Sequence, residues 1–313
     1  MSISTKKSTG NGRILLLGSV GFLLFLTAVQ LGLYLYGYDF SAQLYLPGAL
    51  PLLTGLIWTA TASGAALLAF TLPAKKPCRE FTLSANFLTD YAALLTAAAL
   101  ISTTLLPLLS LKTLDPLSAL LTSQSLSEHT AQTMLRLSMI FGGLAALAFL
   151  LQFANRKTNP YGVSALLLWA GFSALRIYFD MRYLLMSPRR VLHLVALVAL
   201  LVFAIGELRL ARKIATPRLY VLTAAPAMVL MGTDAITNLL LTAMGWITLG
   251  AEISTYCVLL AASVYAFARL YALVTPAKQS SAPVIVASDV SPEDKNSPDT
   301  ENNSPEESEE VPQ

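Results

Sequence analysis

Charge is what this chain has least of. Only 12% of its 313 residues are Asp, Glu, Lys or Arg, about half the share of an average soluble protein, while 55% are apolar. A water-soluble fold cannot bury that excess. The two cysteines, Cys78 and Cys257, stand far apart in sequence with no CxxC or His-rich neighbourhood, so a redox pair or a cysteine metal site lacks its pattern. Both read as small apolar residues. His129 and His193 are the only histidines, and neither sits in an HExxH or paired-ligand arrangement, which leaves zinc chemistry without its residues. A GxSxG nucleophile turn and a phosphate-cradling glycine loop are also missing. Paired intramembrane aspartates of a protease type are absent, because Asp90 and Asp234 fall at opposite predicted depths. The sequence points away from an enzyme and calls for no cofactor, metal or nucleic acid.

What the chain does have is apolar runs of about twenty residues, the length that crosses a hydrocarbon layer of about 30 Å. The expected fold is all-α, a polytopic transmembrane bundle of eight spans. They run from about Ile14 to Tyr38, Leu46 to Leu72, Asn86 to Leu111 and Ala131 to Phe153. A fifth starts at about Tyr161, after Asn159-Pro160. The last three cover about Val191 to Leu210, Leu219 to Leu241 and Gly250 to Val274. Three regions follow: residues 1–13, an eight-span domain over 14–275, and a tail over 276–313. Between spans three and four, Asp115-Pro116 gives a helix-start signal, and Leu117, Leu120 and Leu121 suit a short helix lying on the membrane surface. In span four, Gly142 and Ala146 form a small-residue stripe that admits another helix closely.

Short loops rich in Lys and Arg favour the cytoplasmic side. Placing the N-terminus there puts Lys6, Lys7, Arg13, Lys75, Lys76, Arg79, Arg156, Lys157, Arg212, Lys213 and Arg218 on that side. Arg182, Arg189 and Arg190 then fall outside, against the rule, and read as anchors to lipid headgroups. An even number of spans returns the C-terminus to the cytoplasm. From residue 276 the chain holds nine acidic and two basic residues, is rich in Ser, Pro and Asn, and is expected to be disordered. Such a tail either solubilises the chain or recruits a cytosolic protein.

An ionisable side chain inside the bilayer costs about 2.5–3.5 kcal/mol on insertion scales, so each one asks for a reason. Arg176 and Asp180 lie four apart near the end of span five, where a helix would let them pair. Asp234 and Asn238 share a face of span seven beyond Pro226, which releases a backbone carbonyl. Glu252 opens span eight at the same level. If spans five, seven and eight are neighbours, Arg176, Asp180, Asp234, Asn238 and Glu252 line one outward-facing pocket for a solute; otherwise they are separate structural or rim charges. At the inner level, Asp90 and Glu207 mark either a gate or helix-packing contacts. His193, beside Arg189 and Arg190, reads as an interfacial residue.

The run "RIYFDMRYLLMSPRR", followed by "GELRLAR", resembles a pattern found in uncharacterised polytopic membrane proteins of bacteria and covers about forty residues. The resemblance implies a bacterial inner-membrane setting and no particular activity. Two functions fit the residues. The first is a carrier or permease-like bundle for a small polar or anionic solute. The second is a membrane sensor or assembly scaffold whose acidic tail recruits a cytosolic partner.

Overall fold

The computed structural model describes residues 4–42, 44–46, 48, 50–72, 86–111, 126–155, 159–180 and 187–275. The surface helix expected at Asp115-Pro116, the loop residues Lys75, Lys76, Arg79, Arg156, Lys157 and Arg182, and the tail over 276–313 lie outside the described residues. Eight helices are long and apolar enough to cross a membrane, and the protein is an all-α, multi-pass membrane bundle. They are α1 (Ser4–Gly37), α2 (Leu50–Leu67), α3 (Phe87–Leu111), α4 (Leu126–Asn155), α5 (Pro160–Phe179), α6 (Pro188–Ala211), α7 (Pro217–Ala243) and α8 (Ile253–Val274). A single 3-10 turn over Leu68–Thr71 extends α2, and another over Gly250–Glu252 leads into α8.

Three of these helices begin in the same way. Asn159, Ser187 and Thr216 occupy the cap position with extended backbone, and each is followed by a proline in the first helical turn. Proline suits that place because its missing N–H is one that the first turn cannot use, and its fixed φ is already helical. The Asn159 side chain accepts from the Tyr161 N–H at 3.0 Å, and Thr216 accepts from Leu219 at 3.3 Å. Within the helices, buried threonines return their hydroxyls to their own backbone, as Thr96 does to the Ala92 carbonyl at 2.8 Å. A hydroxyl satisfied in this way can face lipid or a neighbouring helix without an unmet donor.

Helices α3 to α8 pack in sequence, each on the next, and α8 packs back on α3, so the six close a ring. α6 also touches α8 directly. The interior of the ring is filled. Tyr265 of α8 meets Phe149 of α4 and Phe203 of α6, and its hydroxyl accepts from Gln152 of α4 at 2.8 Å. α1 and α2 lie against α7, which makes α7 the most enclosed helix of the eight. Gly12 of α1 is in contact with Val274 of α8, so α1 begins and α8 ends at one end of the bundle, the near end. At the far end, β1 (Tyr38–Asp39) and β2 (Leu44–Tyr45) form a short antiparallel hairpin. Its turn is held by Asp39, whose carboxylate accepts from the Ser41 hydroxyl at 2.6 Å and from the N–H groups of Ser41 and Ala42. The Ser41 hydroxyl, joined by those two N–H groups, holds the Asp39 carboxyl below its ordinary pKa.

Lipid tails are as apolar as leucine, so helix association depends on close contact and interhelical hydrogen bonds rather than on escape from water. The small-residue stripe of α4 serves this purpose. A Cβ on Gly142 would come within 2.9 Å of Trp169 of α5, and a Cβ on Gly162 of α5 would come within 2.1 Å of the Ala148 Cβ of α4. Gly143, one residue along, faces open space. We therefore expect Gly162→Val to destabilise the bundle by at least the ~1–3 kcal/mol typical of overpacking. Gly143→Ala should be neutral or slightly stabilising through helix propensity. Thermal unfolding of the two purified variants checks the contrast; equal melting temperatures would refute the close α4–α5 contact.

Candidate functional site

Helix α6 starts at Pro188, three residues earlier than the apolar run suggests. That shift puts Arg189 and Arg190 inside the helix rather than in a loop, one turn before His193. Arg189 and His193 are four apart and share a face, and that face meets α7. Arg189 Nε donates to Asn238 Oδ1 at 2.8 Å. Asn238 Nδ2 donates to Asp234 Oδ1 at 3.0 Å and to the Asp234 carbonyl at 2.9 Å. His193 Nδ1 lies 2.6 Å from Asp234 Oδ2. The chain Arg189–Asn238–Asp234–His193 thus crosses the α6–α7 interface twice. α8 closes it: the Tyr256 ring lies 4.4 Å from the His193 ring, the Arg189 guanidinium hydrogen-bonds the Tyr256 hydroxyl, and Glu252 adds an opposite charge. Asp234 lies nine residues before the end of α7, about 13 Å inside it.

Arg190 points differently. It is 5% exposed and donates to the Tyr178 carbonyl of α5. The last carbonyls of a helix lack an intrahelical donor and carry the negative end of its dipole, so a guanidinium there is well placed. A narrow cleft of about 20 Å³ opens here, lined by Ile177, Arg189, Arg190, His193, Glu252 and Tyr256. Two buried hydroxyls on α1 and α7, those of Tyr34 and Thr237, have no hydrogen-bond partner among the described residues. Tyr34 is close enough to Asp234 to feel its charge. Thr237 follows Thr233 by one turn on the face that meets α1, where Thr27 donates to Thr233 at 3.4 Å.

The same three helices meet again at the near end. Glu207 of α6 receives Arg269 of α8 through two hydrogen bonds, Nε to Oε1 at 2.9 Å and Nη2 to Oε2 at 2.7 Å. The Tyr220 hydroxyl of α7 donates to Glu207 Oε1. All three side chains are buried, and the Arg269 guanidinium stacks over the Tyr265 ring at 5.7 Å. Each helix contributes to both clusters: His193 and Glu207 on α6, Tyr220 and Asp234 on α7, Tyr256 and Arg269 on α8. The spacings of 13 or 14 residues are close to four turns of 3.6, which returns the second residue to the face of the first. Two polar levels about 20 Å apart therefore bind one trio of helices.

The residues expected from sequence divide between these levels and the rim. Asp234, Asn238 and Glu252 belong to the far cluster. Asp180 is buried and ends α5 in an extended conformation. Because α5 stops at Phe179, the expected helical pair of Arg176 with Asp180 does not form; Arg176 is half-buried and makes no ion pair among the described residues. Glu207 has partners that sequence did not supply, Arg269 and Tyr220. Asp90 is half-buried in the first turn of α3, near enough to Tyr265 to act on it electrostatically.

The reading of Arg189 and Arg190 as headgroup anchors, and of His193 as an interfacial residue, is corrected. All three are built into the bundle, and span six supplies what span five was expected to give. Ser187-Pro188 marks the turn into span six, as the sequence suggests, and as a cap followed by proline, of the kind that also opens α5 and α7, it also starts the helix before the apolar run begins. Among the described residues no three His, Cys, Asp or Glu side chains gather where they could hold a metal.

No family model, curated protein or solved structure matches this chain.

Removing one partner of a buried ion pair strands the other charge, at about 3–5 kcal/mol, whereas replacing both by apolar groups is often neutral. Arg269→Met should lower the melting temperature sharply, and Glu207→Leu added to it should recover most of the loss. If the double variant is no more stable than the single, the near-end cluster is not a self-contained pair.

Proposed function

We propose that this protein is a carrier-like membrane bundle for a small polar or anionic solute that enters the cleft at the far end. The observation that supports the reading is the cleft itself, which Arg189, Arg190 and His193 line together. Guanidinium groups at the edge of a cleft offer an anion charge-assisted hydrogen bonds. Arg189 and Arg190 are the groups that meet an anion. Asn238 and Asp234 hold Arg189 and His193 in position and accept their hydrogen bonds when no solute is bound. The near-end cluster then acts as the closed gate: Glu207, Arg269 and Tyr220 hold α6, α7 and α8 together below the site, and release there requires those bonds to part. Carriers commonly place their site beside interrupted helices and open its two sides in turn, and Pro226 between the two levels gives α7 a point at which to bend.

The scaffold reading keeps one observation in its favour, the aromatic packing of Tyr265 against Phe149 and Phe203 inside the ring. On that reading the charges only lock helices together. A binding assay separates the two. Purified wild-type protein is heated with inorganic phosphate, acetate, bicarbonate, nitrate or glutamate, and a ligand of the native state raises the melting temperature with concentration. The carrier reading expects at least one anion to stabilise the wild type and to lose its effect in Arg189→Gln. Stabilisation by none of them, or stabilisation of the variant to the same extent, overturns it.

We also infer that both termini face the cytoplasm of a bacterial cell. Arg13, Arg209, Arg212, Lys213 and Arg218 lie at the near end, while Arg189 and Arg190, the apparent breaches of the positive-inside rule, are engaged within the bundle and do not act as free loop charges. Single cysteines at Ser41 and Lys213, in a chain without Cys78 and Cys257, test this. In intact cells a membrane-impermeant thiol reagent should label position 41 and not position 213; the reverse pattern would invert the topology.

A further inference from the structure

A second opening lies between α6 and α7, near the end where the cations gather. Its volume is about 70 Å³. The walls are apolar, with Val202 and Ile205 of α6 and Leu219 of α7, and the outer ones are exposed to the surroundings of the bundle. Its floor is Gly206 and Thr223, where a Cβ on Gly206 would come within 2.4 Å of the Thr223 hydroxyl. At its mouth stands Arg209, exposed and without a side-chain partner among the described residues. Arg212 and Lys213 follow in the turn, also exposed. Lys213 adopts a left-handed backbone, with φ of 59°, which breaks α6 and gathers these cations at the helix end.

We propose that this groove binds an anionic phospholipid, with an acyl chain along Val202 and Ile205 and the headgroup phosphate on Arg209. The placement of apolar and charged surface decides the occupant. A free phosphate has no use for the apolar walls, and a zwitterionic lipid gains less from three cations. Arg209 sits at the end of a membrane helix, where a long side chain reaches the headgroup level while its stem stays on apolar surface. Basic residues beside a membrane attract anionic headgroups in the same way. The groove also shares a wall with the near-end cluster, because Tyr220 lines it and donates to Glu207. A bound chain would press on Tyr220 and steady the bonds that hold α6, α7 and α8.

The test uses full-length protein in detergent, with native mass spectrometry to count bound phosphatidylglycerol and phosphatidylcholine. The wild type should retain phosphatidylglycerol about five- to tenfold more than phosphatidylcholine. Arg209→Ala should abolish that preference, and Val202→Trp, which fills the groove from an exposed position, should lower retention of both lipids. Arg13→Ala, which removes an exposed cation from the same end, should change nothing. Neither Arg209 nor Val202 is part of the buried core, so both variants are expected to fold, and thermal unfolding confirms that they do. An equal effect of Arg13→Ala and Arg209→Ala would reduce the site to general surface charge and overturn the proposal. Unchanged retention in Val202→Trp would overturn it as well, and displacement of the lipid by millimolar inorganic phosphate would show an anion site that needs no acyl chain.

Discussion

In a bundle surrounded by hydrocarbon, a buried charge can be satisfied only by another part of the protein, and that constraint organises α6, α7 and α8. Glu207 cannot be met on its own helix, because Arg209 is two residues away on another face. It is met by Arg269, more than sixty residues later, through two short hydrogen bonds. His193 is likewise met across the interface, by Asp234. Each pair fixes the rotation of two helices about their axes, and two pairs at different heights also fix their tilt. Apolar packing could not do this alone, since a leucine face is as content against lipid as against another leucine.

The number and type of helices were legible because a span needs about twenty apolar residues and the chain gives eight such runs with basic residues between them. Boundaries were less so. Sequence starts a span where the apolar run starts, whereas a helix starts where its first turn is capped, and in α6 the difference of three residues left Arg189 and Arg190 outside the helix that holds them. The rule that would have found it was present in the chain: Asn159-Pro160, Ser187-Pro188 and Thr216-Pro217 are three instances of one signal. Partners were not legible at all. Nothing local ties Arg269 to Glu207, because that pairing depends on α6 and α8 meeting within the ring, which is a property of packing. The spacing of 13 or 14 residues between polar groups on α6, α7 and α8 was visible in principle, as a four-turn repeat on three neighbouring helices.

The two polar levels differ in how well they are satisfied, and that difference bears on which of them can change. At the near end, the carboxylate of Glu207 receives two bonds from a guanidinium and one from a tyrosine, in a site with almost no exposure. At the far end, Arg189 is only partly buried, the Tyr34 and Thr237 hydroxyls lack partners among the described residues, and a cleft reaches the histidine. A fully satisfied buried network is rigid because each departure strands a charge in a medium that cannot solvate it. A partly satisfied one has lower-cost alternatives, since a bond lost to one group can be recovered with water or with a solute. Motion in this bundle should therefore begin among Arg189, Asn238 and Tyr256 and reach Glu207 and Arg269 only if something compensates the bonds broken there. α7 is the element through which the two levels would communicate, because it carries a residue of each and touches α1, α2, α6 and α8. Pro226 lies between those residues and leaves the Leu222 carbonyl without its helical donor, so the helix that links the levels is weakest between them.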